Sequence, residues 1–330
     1  MKVLVIGSEA RYRQYLPKDM PIVDECELVF VPRGSSAQEL IAKGADCDFM
    51  AADPMTAVPG EAIRAMDRLR LIHSEGVGYN GIDVQAATEK NIFVCNCKGV
   101  NADAVAEQTV LLMLAVLRDT VTGDRAVREA RQMQVKEKMM LGGIRELSEC
   151  SVGIVGLGDI GCAAARRLRP FGAELFYWSR TRKSGELENE LGLRYLELDE
   201  LLSRCDIVSL HTAVTPETRN MADSSFFAKM KEGSILINTA RGELVDNEAL
   251  IGALASGKLF GAGLDTVYPE PVTADNPLIN LPEELAGKIV FSPHIGGITA
   301  GVFRRSHRFI WQSFQDMKDG RRPKNIVNGL

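Results

Sequence analysis

Aromatic side chains are scarce in this chain of 330 residues: 6% of the total, with Trp178 and Trp311 the only tryptophans. Histidine is as sparse, with His73, His211, His294 and His307 the full set. The seven cysteines complete no zinc-type spacing with these histidines, so no metal is expected. An odd cysteine count spread over a long chain also argues against a disulfide framework. Cys95 and Cys97, in I-F-V-C-N-C, should point to one face of a strand as two small buried thiols. Positive charge is not in excess. The net charge of -5 gives no reason to expect nucleic acid or an anionic membrane as partner. Long apolar runs are missing too. Val110–Leu117 is too short to cross a bilayer, and M-K-V-L-V-I-G-S-E-A-R is not a secretory signal. These absences leave a cytoplasmic enzyme as the expectation.

What is present is a globular composition, 45% hydrophobic and 25% charged, on a chain long enough for two domains. Short apolar runs alternate with helical patterns from end to end, the signature of α/β folds. Strands are expected at Lys2–Ile6, Glu27–Val31, Leu69–His73 and Ile92–Cys95. A long helix follows, about Ala102–Arg118, with Asn101 as N-cap. Asp119–Glu149 is polar, broken at Gly142-Gly143, and reads as an exposed arm or helix pair. The strand pattern restarts at Ser151 and continues at Glu174–Trp178, Asp206–His211, Ser234–Thr239, Phe260–Asp265 and Lys288–Ser292. The amphipathic tail Ala300–Asp319 should be helical and return to the first domain.

The most informative segment is S-V-G-I-V-G-L-G-D-I-G, starting at Ser151. Gly156, Gly158 and Gly161 form G-x-G-x-x-G between a strand and a helix. The first glycine permits the tight turn, the second lets backbone approach a pyrophosphate, and the third lets helix and strand pack closely. The helix N-terminus offers free N–H groups to the phosphates. The next strand should end at the adenosine ribose, where an NAD site usually carries an acid. Here Ser179, Arg180, Thr181, Arg182 and Lys183 follow instead. This basic turn favours NADP(H), with NAD(H) as the other possibility. Gly76, Gly78 and Gly81 make a second formal match, but with no ribose acid or basic cluster after the next strand. That loop is expected to be a substrate-facing turn whose N–H groups bind an anion.

Open α/β sheets bind ligands beyond the carboxyl ends of their strands. Arg241, Glu270 and His294 each lie just past such an end. An arginine fork grips carboxylates, and an imidazole can exchange protons near neutral pH.

With these residues in view, the chain resembles the D-isomer-specific 2-hydroxyacid dehydrogenase family. The likeness runs from about Gly76 to the end, through G-V-G-Y-N-G-I-D, N-A-D-A-V-A-E-Q-T, V-G-I-V-G-L-G-D-I-G, S-L-H-T-A-V-T-P-E-T, I-N-T-A-R-G-E-L-V-D, G-A-G-L-D, E-P and S-P-H-I-G-G. It implies His294 as general acid and base, Glu270 as its orienter, and Arg241 as clamp on the substrate carboxylate. It also implies substrate contacts from Val77, Gly78 and Asn101. Cofactor contacts would come from Gly156, Gly158, Asp159, Ile160, Gly161, Ser179, Arg180, Thr181, Thr109, His211, Thr212, Ala240 and Asp265. Two doubly wound α/β domains with parallel sheets, flavodoxin-like and Rossmann, are implied. The first would comprise 1–99 plus 299–330 and bind substrate, and the second, 100–298, the dinucleotide. The cleft between them would close on substrate. A homodimer is implied as well.

Within the family, S-R-T-R-K is most like the glyoxylate/hydroxypyruvate reductase branch, reducing a small 2-oxo acid to the D-2-hydroxy acid. Oxidation of 3-phosphoglycerate and a non-enzymatic, dinucleotide-sensing corepressor-like role are the alternatives. Three departures stand out: no Trp between Arg118 and Ser151, Asn80 in place of a common Asp, and T-V-Y-P before Glu270.

Overall fold

Leu4, Val5 and Ile6 are all fully buried, as a strand covered on both faces requires. The computed structural model describes residues 1–330 and divides into two units, Met1–Asn101 with Ile298–Leu330, and Ala102–Gly297.

The first unit holds β1 (Lys2–Ile6), β2 (Glu27–Val31), β3 (Phe49–Ala52), β4 (Leu71–Ser74) and β5 (Phe93–Cys95). They form one parallel sheet in the order β2-β1-β3-β4-β5, the flavodoxin-like arrangement. Alternation divides its side chains between two cores. Leu4, Ile6, Met50 and Ile72 pack with Leu40, Ile63 and Met66 on one face. Val3, Val5, Phe49, Leu71, Cys95 and Cys97 pack with Tyr12, Ile22, Ile310, Trp311 and Phe314 on the other. The two thiols thus share one apolar cluster, and burial pushes both up to about 12. The last three of those core residues come from the tail helix Ala300–Lys318, capped by the Thr299 side chain. Phe314 stacks on Phe49 with ring centroids 4.8 Å apart, which fixes the tail on this sheet.

β3 is a strand that the apolar pattern does not announce. Its F-M-A-A run is short and framed by Asp48 and Asp53, yet it lies mid-sheet with all four residues buried. β4 and β5 begin at Leu71 and Phe93, later than the apolar runs suggested.

The second unit opens with the helix Ala102–Leu117, followed by the helix pair Thr120–Arg128 and Gln132–Gly142. Gly143 ends the pair in the left-handed conformation, φ 72°. Seven strands follow: β6 (Ser151–Val155), β7 (Glu174–Trp178), β8 (Leu193–Tyr195), β9 (Ile207–Leu210), β10 (Ser234–Asn238), β11 (Leu259–Leu264) and β12 (Ile289–Phe291). All run parallel in the order β12-β11-β10-β9-β6-β7-β8. The direction of winding reverses between β6 and β9, so the loops after these two strands flank the switch point, where doubly wound sheets bind their ligands. The short edge strand β8 was not anticipated. No helix of the chain is long and apolar enough to cross a membrane.

Candidate active site

Every residue of β6 is buried, and the strand runs directly into Gly156. Gly156 has φ 102°, and a Cβ there would lie 2.7 Å from the His211 carbonyl oxygen. At Gly161 an added Cβ would sit 2.3 Å from the Gly156 carbonyl oxygen, so the helix can start this close to the strand only without a side chain. Gly158 caps the helix Asp159–Leu168 and faces open space, with no atom within 4 Å of its absent Cβ. That opening fits a pyrophosphate, with the helix N–H groups behind it. Asp159 and Ile160 form the first turn, Asp159 exposed and Ile160 partly buried.

The neighbouring strand β7 extends through Gly156 N–H, which donates to Trp178 O at 2.8 Å. Beyond it the basic turn is already partly engaged. Ser179 Oγ donates to Thr181 O at 2.7 Å, so the hydroxyl proton is spent within the turn. Arg182 forks onto Glu188, and Tyr177 OH donates to the same carboxylate at 2.7 Å. Arg180 is exposed and takes part in no hydrogen bond or ion pair within the chain. Glu188 and Tyr177, which shape this turn, were not singled out from sequence. A helical acid six residues after the arginine was the available signal.

On the other side of the switch point, His211 N–H donates to Val155 O at 2.7 Å, extending β9 past its end. His211 Nε2 lies 2.9 Å from Ser209 Oγ, and desolvation lowers this imidazole to about 4, leaving it neutral at physiological pH. Thr212 follows, partly buried, with its hydroxyl 3.7 Å from Met221 Sδ.

After β10, Asn238 ties down the turn that carries Ala240 and Arg241. Its amide donates to Arg241 O at 2.8 Å and its oxygen accepts from Ala240 N–H at 3.0 Å. Arg241 Nη1 donates to Ala240 O at 2.7 Å. The next residue, Gly242, lies against the Tyr268 backbone nitrogen, where a Cβ would approach to 2.4 Å. The Arg241 turn therefore packs on the segment leading to Glu270. Asn276 and Asn247 hold that segment by donating to Tyr268 O at 3.1 and 2.9 Å.

Asp265, 2% exposed, organises the last loop. Its carboxylate accepts from Ile295 N–H at 3.0 Å, from Gly296 N–H at 2.9 Å, and from the Ser292 hydroxyl. Gln108 donates to Ser292 Oγ at 2.9 Å. His294 sits inside this frame with φ 54°, left-handed backbone that costs a residue with a Cβ on the order of 1 kcal/mol or more. Its N–H is held by Asp265 O at 2.8 Å and Ser292 O at 3.0 Å. The imidazole Nδ1 lies 2.7 Å from Glu270 Oε1, and Nε2 has no hydrogen-bond partner within the chain. Thus the structure pairs His294 with Glu270 directly, and positions Arg241 on the adjoining turn.

Thr109 departs from expectation. It is fully buried, its hydroxyl donates to Val105 O at 2.8 Å, and the Thr239 hydroxyl lies 2.9 Å away. It braces Thr239 from inside and has no surface for a cofactor.

In the first unit, Val77 and Gly78 lie on the loop after β4. Their carbonyl oxygens are occupied, Val77 O by Asn96 Nδ2 at 2.8 Å and Gly78 O by Ser74 Oγ at 2.6 Å. Their N–H groups donate to nothing within the chain. Two neighbouring free donors on a pinned loop have the form of a backbone turn that can bind an anion. Asn101, partly buried, ends this unit's first segment.

The family model described as "D-isomer specific 2-hydroxyacid dehydrogenase, NAD binding domain" matches residues 110–296. A glyoxylate reductase of Korarchaeum cryptofilum is 35% identical over 293 residues, 89% of this chain and 86% of its own. That of Thermococcus litoralis is 36% identical over 308 residues, 92% of this chain and 90% of its own. A crystal structure of a Thermus thermophilus protein superposes with a TM-score of 0.84 at 32% identity, covering 99% of this chain and 100% of that one. The second unit is therefore a nicotinamide-dinucleotide domain, and the chain belongs to the D-isomer specific 2-hydroxyacid dehydrogenases, oxidoreductases acting on the CH–OH group of donors.

Proposed function

We propose that this enzyme reduces a small 2-oxo acid, of glyoxylate or hydroxypyruvate size, to the D-2-hydroxy acid with NADP(H). The observation that carries the reading is the hydrogen bond between His294 Nδ1 and Glu270 Oε1 at 2.7 Å, in the same unit as a glycine loop fit for a dinucleotide. Bound there, the nicotinamide would supply the hydride.

The chain's own residues do the rest. His294 Nε2 delivers a proton to the carbonyl oxygen as it becomes an alkoxide, and Glu270 keeps the ring oriented. Arg241 grips the substrate carboxylate. In the first unit, the free N–H groups of Val77 and Gly78 are a carboxylate cradle. Gly156, Gly158, Gly161, Asp159 and Ile160 cradle the pyrophosphate; His211, Thr212, Ala240 and Asp265 line the nicotinamide end. Arg180, uncommitted to any partner, takes the 2′-phosphate, which favours NADP(H) over NAD(H).

Relatives named glyoxylate reductase support the substrate size. Homodimer formation is part of the proposal. The helix pair exposes Met133, Met140 and Leu141, the last at 91%, more apolar surface than a helix facing only water would carry. A cytoplasmic setting agrees with seven free thiols.

The test is a panel of 2-oxo acids with NADPH and NADH. Turnover of glyoxylate or hydroxypyruvate with NADPH is expected, and His294→Ala should lower kcat by roughly 10²–10⁴ while NADPH binding stays intact. An enzyme inactive on the whole panel would refute the reading.

A further inference from the structure

The first unit buries a charge cluster directly behind the proposed carboxylate cradle. Asp53 follows β3 and Glu75 follows β4, and their side chains are 1% and 3% exposed. Arg11, from the helix Glu9–Gln14, spans both: Nη1 donates to Asp53 Oδ2 at 3.1 Å and Nη2 donates to Glu75 Oε2. Arg33 adds a second donor to Asp53 Oδ2 at 2.6 Å.

These two carboxylates mark the roots of two loops that hold one another. Glu75 N–H donates to Ala52 O at 2.8 Å, Val58 N–H to Gly81 O at 2.8 Å, and Asp83 N–H to Val58 O at 3.0 Å. The second loop carries Val77 and Gly78. Whatever fixes the separation of Asp53 and Glu75 also sets where those free N–H groups point.

We propose that Arg11 is a positioning residue for the substrate-carboxylate cradle, bridging Asp53 and Glu75 and offsetting the Glu75 charge beneath a site that receives an anion. The proposal rests on the reading of Val77 and Gly78 as that cradle. Only a guanidinium fork can reach both carboxylates at once, since an ammonium is a single point charge. Removing it leaves Glu75, two residues before Val77, without its cation, and Asp53 with Arg33 alone, so nothing ties the two loop roots together.

The groups around Glu75 are Arg11, Asp53, Arg33, His307, Tyr12 and Cys97. Glu75 Oε1 has no hydrogen-bond partner, and His307 Nε2 is 4.0 Å away. Burial outweighs the pull of Arg11 and raises the Glu75 carboxyl to about 7. The charge behind the cradle therefore changes around neutral pH, with Glu75 gaining its negative charge as pH rises.

The test is steady-state kinetics with glyoxylate and NADPH. Arg11→Ala should raise KM for glyoxylate by about tenfold, with kcat and the Kd for NADPH within about threefold of wild type. Wild-type KM should climb as pH passes through 7, and Glu75→Gln should flatten that climb while keeping the fold. An unchanged KM in Arg11→Ala, or an unchanged pH profile in Glu75→Gln, overturns the proposal while leaving the reductase reading intact. If Arg11→Ala does not fold, Arg11→Lys replaces it: one carboxylate keeps a cation, the bridge is lost, and a wild-type KM would again overturn it. A wild-type protein that neither turns over 2-oxo acids nor binds oxamate would sink both readings together.

Discussion

Glu188 holds Arg182 with both oxygens, Nε donating to Oε1 at 2.8 Å and Nη2 to Oε2 at 3.0 Å. The guanidinium also lies over the Tyr195 ring, 5.4 Å from its centroid. Two arginines separated by one residue thus have different roles. Arg182 shapes the turn after β7, and Arg180 is the one free to meet a ligand.

Cofactor preference should follow that division. Arg180→Ala is expected to lower kcat/KM for NADPH by roughly ten- to a hundredfold, the worth of about 1.5–3 kcal/mol for a hydrogen bond to a charged group, and to spare NADH. Arg182→Ala should leave the NADPH to NADH ratio within about threefold. Equal losses in the two variants, measured with both cofactors, would reverse the assignment.

Asp265 should matter more to stability than its single charge suggests. Asp265→Ala orphans the Ile295 and Gly296 N–H groups and removes the acceptor of the Ser292 hydroxyl. At about 1–3 kcal/mol for each buried group left unsatisfied, and with some relaxation, a loss of about 2–4 kcal/mol is expected in urea unfolding. Activity should fall further than stability, because the same bonds hold His294 in its left-handed conformation. A variant with wild-type unfolding would show that this loop does not depend on Asp265.

Acid should weaken the first unit through its buried histidines. His73 is fully buried with Nε2 unpartnered, and burial lowers it and His307 from 6.5 to about 4. Between those values the unfolded chain binds more protons than the folded one. Stability is therefore full above pH 6.5 and falls as pH drops toward 4, by at most about 1.4 kcal/mol per pH unit for each histidine. Glu75 acts in the opposite sense: raised from 4.5 to about 7, it stabilises below 4.5 and loses that contribution as pH rises through 7. His211 in the second unit adds the histidine sign. The urea midpoint should be lower at pH 5 than at pH 6.5, and His73→Phe should show a shallower slope. An identical slope in that variant would exclude His73 as a source.

The parts of the site legible in the sequence are those set by the backbone. Gly156 and Gly161 could be read because a positive φ and a strand–helix contact too close for a Cβ leave few alternatives to glycine. β6 and β10 could be read because strands buried on both faces are largely apolar. β3 escaped because Phe49–Ala52 is four residues long with two alanines, and its burial comes from strands on either side. Thr109 looked like a cofactor contact because a motif preserves position along the chain but not the direction of a hydroxyl.

By itself, then, the sequence determined the two alternating α/β patterns, the glycine turn, the missing acid after β7 and the residue types at the strand ends. These follow from conformational preferences of a few consecutive residues. Only the tertiary structure decided which charges are already spent. Arg11 is shared by Asp53 and Glu75, and Ser292 is held by Gln108, 184 residues away. Hydrogen bonds and desolvation depend on atoms brought together from distant segments, and no local preference encodes them.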